Sequence, residues 1–237
     1  MLATLRREAC EVNRRLPREG LAPLNFGNAS AIDRARGIVA IKPSGVDYAS
    51  LRPGDLVLVD LEGRRVEGTL RPSSDTPTHL ELYRAFPGIG GVVHTHSPWA
   101  VAFAQAMRPI PALGTTHADF FRGAVPVTRA LARRQIEGDY EAETGRSIRD
   151  AFRSIDPLEV PAVLVRSHGP FAWGLDVEGA LEHAIALEFC ACAAARTLRI
   201  DPRAREMDRT LRERHFLRKH GPASYYGQEG GASSKPD

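Results

Sequence analysis

Apolar positions change period several times along this chain, and each change marks an element. Leu2, Leu5, Ala9, Val12 and Leu16 recur at helical spacing until Pro17 to Gly20 breaks the run, which predicts a first helix. The runs "GIVAI", "DLVLVD" and "RRVEGTL" are short and rich in Val, Ile and Leu, with Pro-Ser-Gly, Arg-Pro-Gly and Glu-Gly-Arg turns among them. That spacing predicts strands, and antiparallel ones, because so few residues separate them that no crossover fits. A helix over about 76–86 follows, then an apolar strand in "GGVVHTH", then a helix with Ser97 as cap and Pro98 in its first position. "PAVLV" predicts a further strand, and Asp176 caps a long helix through Leu198. An arginine-rich helix over about 202–219 carries Met207, Leu211 and His215 on one side. No repeat and no linker-like stretch interrupts the 237 residues, so the pattern predicts one α/β domain.

Composition narrows the partners. Hydrophobic residues make up 43% and charged residues 26%, ordinary for a globular domain, and a formal charge of +3 is too small to imply nucleic acid. Arg6, Arg7 and Glu8 arrive before any apolar stretch builds, and no run is long enough to span a bilayer, so neither a signal peptide nor a membrane partner is expected. Cys10, Cys190 and Cys192 have no CxxC spacing and read as reduced thiols of a cytoplasmic protein. The final residues, 228–237, have the composition of a disordered tail.

The candidate chemistry sits at strand ends. His94 and His96 are two apart on an apolar strand and therefore share a face, which makes either half of a metal site or a bland pair of edge histidines. His168 ends a second apolar strand before a Gly-Pro turn, as His96 does before Ser-Pro, and two strand ends of one sheet can bring three imidazoles together. "NFGNAS", "KPSGV" and "RPSSDTPTH" each combine Gly or Pro turns with short hydroxyl or amide side chains, the donors that a phosphate requires. The helix beginning near Thr76 would direct its positive end at Ser73 and Ser74.

Seven segments, in order and at similar spacing, carry a resemblance through nearly the whole chain: "NASAIDRARG", "IKPSGVDY", "PSSDTPTHLELY", "VVHTHSPWA", "TTHADFF", "SHGPFAWG" and "HFLRKHGPASYYGQ". They resemble the L-ribulose-5-phosphate 4-epimerases of the class II aldolase/adducin family. The resemblance implies a mixed, largely antiparallel central sheet flanked by helices over residues 1–227, in a homotetramer with sites at subunit interfaces. It implies zinc, with Mn2+ or Co2+ as substitutes, on His94, His96 and His168 beside the Asp75 carboxylate. Gly27, Asn28, Lys42, Ser44, Gly45, Ser73 and Ser74 would hold the phosphate of a small sugar-phosphate substrate. Asp119 and Tyr226 would be an acid/base pair, the tyrosine reaching in from a neighbouring subunit, and His215 a further active-site residue. Two plainer readings stand beside these: Lys42 as a solvated strand-end lysine, and His215 as a packed helix residue.

The activity so implied interconverts L-ribulose 5-phosphate and D-xylulose 5-phosphate by cleaving and remaking the C3–C4 bond. The alternative within the family is a sugar-phosphate aldolase like that for L-fuculose 1-phosphate. Those aldolases usually carry Glu where this chain has Asp75, and lack the segment containing Asp119. A metal-free adducin-type interaction domain fits less well with three histidines present. An amidohydrolase-type zinc hydrolase would be a longer barrel chain with its HxH near the start.

Overall fold

A computed structural model describes residues 2–221 and 224–225. Its helices are α1 (Leu2–Arg15), α2 (Thr76–Ala85), α3 (Pro98–Gln105), α4 (Thr115–Ala118), α5 (Arg133–Ile136), α6 (Tyr140–Ala151), α7 (Val177–Ile200) and α8 (Arg209–His220). Its strands are β1 (Asn28–Asp33), β2 (Ile38–Ile41), β3 (Val57–Asp60), β4 (Arg65–Glu67), β5 (Gly91–His94), β6 (Ala162–Leu164) and β7 (Pro170–Gly174). The strands form one sheet in the order β4-β3-β2-β1-β5-β7-β6, and every neighbouring pair is antiparallel. Among the described residues, parallel pairing is confined to an isolated bridge between Val127 and Leu164.

The sheet is central because helices cover it and its strands read as buried runs. β1, β2, β3 and β5 are buried along nearly their whole length. α1 lays Leu5, Ala9 and Val12 onto the β1–β2 region, and α7 crosses β5 and β7. The crossing is close enough that a Cβ on Gly91 would lie 2.3 Å from the Val177 backbone, so the glycine pair before "VVHTH" serves packing as well as turning. Asp176 caps α7 as expected, its carboxylate accepting from the Gly179 N–H at 2.7 Å.

Three elements depart from the sequence pattern. β1 was expected as part of a polar loop, yet it lies between β2 and β5. Its small residues suit a strand pressed by α1, and buried Asn13 replaces the usual apolar contact: its amide accepts from the Ala29 N–H at 2.8 Å and donates to the Ala29 carbonyl at 2.9 Å. β7 begins at the Pro170 expected to be a turn, and pairs with both β5 and β6. The last helix starts seven residues later than expected, at Arg209 rather than 202, because Asp208 caps it by accepting from the N–H groups of Thr210 and Leu211. Met207 is therefore outside the helix, with its N–H on the Ala112 carbonyl at 2.9 Å. Cys10, Cys190 and Cys192 are free thiols. Among the described residues no helix is long and apolar enough to cross a membrane. The expected tail at 228–237 lies outside the described residues.

Candidate functional site

His94 is the last residue of β5, opposite Asn28 of β1 on one side and Phe171 of β7 on the other. His96 follows two residues on, and the turn joining β6 to β7 carries His168. That turn puts non-glycine Ser167 at a φ of 59°, and the Ser167 N–H is tied to the Ala104 carbonyl at 3.0 Å. The three rings converge, with centroid separations of 4.9 Å for His94 to His96, 4.9 Å for His94 to His168, and 5.2 Å for His96 to His168. One ligand nitrogen from each lies within 4.8 Å of the other two.

The surroundings of His94 decide which nitrogen it offers. Its Nδ1 is 2.9 Å from the Pro170 carbonyl, which can only accept, so Nδ1 carries the proton and Nε2 keeps its lone pair. The ring is also stacked on Phe171 at 4.2 Å and 16°, which fixes its orientation. Burial, the largest influence on each, pushes the pKa of His94, His96 and His168 below the ordinary imidazole value, although Asp75 pulls upward. Three neutral imidazoles with converging lone pairs are a donor set that fits a divalent transition metal.

Backbone glycines let two loops close over this centre. Gly27 has a φ of +85°, and a Cβ there would sit 2.5 Å from the His94 carbonyl oxygen. A Cβ on Gly169 would lie 2.7 Å from the Thr95 carbonyl oxygen. Asp75, immediately before α2, accepts from the Asn28 amide at 2.7 Å, and the same amide donates to Ser73 Oγ at 3.1 Å. Burial works against the Asp75 carboxylate, but His94, His79 and the Asn28 amide outweigh it and hold the carboxyl below its usual range. The other end of the Asn28 amide, Oδ1, is buried without a partner.

The hydroxyl-rich loops meet beside the histidines. The Ser44 N–H donates to the Arg71 carbonyl at 2.9 Å and the Ser73 N–H to the Lys42 carbonyl at 3.0 Å, stitching residues 42–45 to 71–74. Lys42 is 2% exposed, with Nζ 4.9 Å from the centre of the Tyr48 ring. The solvated reading of Lys42 is thereby replaced by a covered ammonium whose pKa burial lowers, with Asp47 opposing. All of the expected phosphate contacts, from Gly27 to Ser74, line one cavity of about 330 Å³ together with Asp75, His94, His96 and His168. Tyr140 and Glu141, from the start of α6, line it too; nothing in the sequence pattern had singled them out. Thr144, Gly145, Ser147 and Ile148 form the buried face of that helix, a periodicity that could have revealed α6 but not the role of its first residue.

Asp119 and His215 are elsewhere in the chain. Neither lines the cavity. Asp119, at the end of α4, receives His215 Nδ1 at 3.1 Å and a forked contact from Arg218 at 2.8 and 3.0 Å. Burial raises its pKa, and the Arg218 and His215 hydrogen bonds overturn that and bring it below the usual carboxylate range. His215 is thus a bonded partner of Asp119 rather than only a packed helix residue. Tyr226 lies outside the described residues.

A second network, missed at the sequence level, backs the cavity. His79 is fully buried, one helical turn from Asp75, with Nδ1 2.7 Å from Ser30 Oγ, which is in turn 2.8 Å from the Tyr83 hydroxyl. Its ring makes an edge-type contact with Phe171, the same ring that stacks on His94.

Residues 7–195 match the model of the class II aldolase and adducin N-terminal domain. The chain belongs to that family. Solved relatives share the fold. An L-fuculose 1-phosphate aldolase superposes with a TM-score of 0.74 at 23% identity, over 90% of this chain and 94% of its own. The L-fuculose-1-phosphate aldolase of Thermus thermophilus gives 0.66 at 28% identity, over 85% and 99%. An aldolase II superfamily protein from Pseudomonas syringae gives 0.73 at 17% identity, over 94% and 88%. The antiparallel sheet flanked by helices is the class II aldolase fold in a single domain.

Proposed function

We propose that this chain is a metal-dependent sugar-phosphate enzyme of the class II aldolase family and, within it, an L-ribulose-5-phosphate 4-epimerase. The observation that carries the reading is the shared cavity: three converging neutral imidazoles beside a polar cradle of Asn28, Lys42, Ser44 and Ser73. The aldolase reading within the family is favoured by the presence of fuculose-phosphate aldolases among its relatives. Against it, Asp75 stands where those aldolases usually carry Glu, and Asp119 and Tyr226 supply two candidate proton carriers where an epimerase needs two.

Carbon 4 of a ketopentose phosphate cannot be inverted by simple deprotonation, because its hydrogen is not adjacent to the carbonyl. Breaking the C3–C4 bond avoids that barrier and leaves glycolaldehyde phosphate and a three-carbon enediolate. A divalent ion, zinc first, would be held by His94, His96 and His168 and would supply Lewis-acid stabilisation of the negative charge left by that cleavage. The chain's own residues do the rest. Ser73 and Ser74, just before the positive end of α2, with Ser44, the Gly45 backbone and Lys42 lining the same cavity, hold the phosphate while the aldehyde of that fragment turns its other face. The Asn28 amide, by donating to Ser73 Oγ and to Asp75, ties the phosphate-holding serine to the carboxylate beside the histidines. Asp119 and Tyr226 each exchange the proton of the carbon-4 oxygen for one stereoisomer, so they must approach from opposite sides. Since Asp119 and His215 do not line the cavity of their own chain, this role requires a neighbouring subunit, in keeping with a homotetramer with sites at subunit interfaces.

The deciding experiment incubates purified protein with L-ribulose 5-phosphate and quantifies D-xylulose 5-phosphate, dihydroxyacetone and glycolaldehyde phosphate over time. Interconversion with little free fragment is the expected result. Stoichiometric release of fragments would make the enzyme an aldolase, and no turnover of either kind would reject the reading.

A further inference from the structure

Tyr140 brings a phenol hydroxyl to the wall of the cavity, beside His168. It is the first residue of α6, and its ring stacks on His168 with centroids 6.3 Å and planes 24° apart. The hydroxyl lies 3.2 Å from His168 Nδ1. The helix start that carries it is fixed to α2, the helix that Asp75 precedes. Thr78 Oγ1 donates to the Glu141 carbonyl at 2.6 Å, Arg149 pairs with Glu81 at 2.8 Å, and a Cβ on Gly145 would lie 2.6 Å from the Glu81 side chain. Tyr140 is therefore held by two interlocked helices rather than by a loop.

The direction of its hydrogen bond follows from His168. With Nδ1 facing the tyrosine, the nitrogen that His168 can turn to a metal is Nε2. A neutral imidazole that commits its Nε2 lone pair carries its proton on Nδ1, and must donate it to the tyrosine oxygen. That oxygen is then an acceptor, with the Thr144 hydroxyl as its other donor, and the O–H bond of Tyr140 points away from His168, on a residue that lines the cavity. The His94 ring shows the same division of labour, with the Pro170 carbonyl as acceptor; but a carbonyl has no proton to pass on, whereas a phenol has.

We propose that Tyr140 is a catalytic hydrogen-bond donor: it accepts from His168 Nδ1 and directs its own O–H at a substrate oxygen beside the three-histidine centre, where negative charge develops during C–C cleavage. A donor preorganised at that point stabilises the transition state more than the bound substrate. The inference rests on the reading of the cavity as a metal-dependent sugar-phosphate site, but not on which sugar it takes.

Tyr140→Phe keeps the stacked ring and removes only the oxygen. Cobalt(II) replaces zinc as a visible probe, and acetohydroxamate, a bidentate chelator with an anionic oxygen, stands in for the charged reacting group. The variant should bind one cobalt per chain, as wild type does, with a displaced visible absorption because His168 has lost its acceptor. Acetohydroxamate should bind about 10- to 100-fold more weakly, the scale of one hydrogen bond to a charged group. With L-ribulose 5-phosphate, kcat and kcat/KM should fall together while KM changes by less than about twofold. Superimposable cobalt spectra with equal acetohydroxamate affinity would overturn the proposal. So would loss of cobalt by the variant, which would reduce Tyr140 to holding His168, and so would a wild type that binds no cobalt. A wild type inert towards L-ribulose 5-phosphate, with the hydroxamate difference intact, would reject the epimerase and leave the donor role standing.

Discussion

The cavity of His94, His96 and His168 and the cluster of Asp119, His215 and Arg218 use the same kinds of side chain to opposite ends. In the first, sheet-anchored imidazoles are kept neutral by burial and face one another with lone pairs unspent. In the second, helix-borne groups spend what they have on each other, and Asp119 is held ionised by a guanidinium fork and an imidazole. Unspent valence is what a ligand can use, and satisfied charge is what a stable surface offers to something that arrives already ordered. The first region can hold an ion, whereas in the second the charges are already paired within the chain.

The largest effect expected from breaking this contrast is in the first region. His96→Asn should lose stoichiometric metal by elemental analysis and, with it, activity, by more than the ~10–100-fold typical of disturbing a group that only supports a ligand. Retention of both would remove His96 from the centre. Next comes the second region, where Asp119→Asn should cost roughly 100- to 10,000-fold in epimerisation while metal content stays unchanged. Mixing its subunits with those of His96→Asn should restore part of the activity, because a cavity with intact histidines can then draw an intact Asp119 from the other chain. Mixed assemblies no better than either parent, after verified exchange, would place both groups in one chain's site.

A smaller effect separates the neutral region from the charged one by pH. Burial depresses His79 from the ordinary 6.5 to about 4, although Asp75 opposes the shift. Its unfolded form therefore takes up a proton that the folded form refuses. This contribution to stability is complete above pH 6.5, falls as pH drops towards 4, and amounts to about 3 kcal/mol in all. Urea unfolding of metal-free protein should show that decline, and His79→Gln should make it shallower by about one proton, roughly 1.4 kcal/mol per pH unit. An unchanged slope would mean that His79 is protonated in the fold.

The cavity was more legible than the sheet that builds it. Glycines, serines and histidines in turn contexts announce their donors, so Gly27, Lys42, Ser73 and the three histidines could be read as one site before any geometry was known. β1 could not be read as a strand, because "NASAID" lacks the branched apolar run that signals one; its stability comes from Asn13 and from its two neighbours, one of them distant in sequence. β7 was hidden by Pro170, whose missing N–H costs little at the first residue of a strand. Tyr140 was invisible for another reason: its importance lies in one contact with His168, 28 positions away. The separation of Asp119 from the histidines is likewise a fact of packing that no motif records.

The two margins of the sheet bear on how copies of this protein can associate. β4 is three exposed residues, Arg65, Val66 and Glu67, and its pairing slips at Leu58 and Val59. At the opposite margin, the Thr128 N–H is bonded to the Leu164 carbonyl, so β6 is already shielded by its own chain. A short charged strand and a covered one both refuse the addition of another strand. Self-association by extending the sheet, the route that leads from folded domains to fibrils, is closed at both ends, and ordered contact between copies is left to helices and loops.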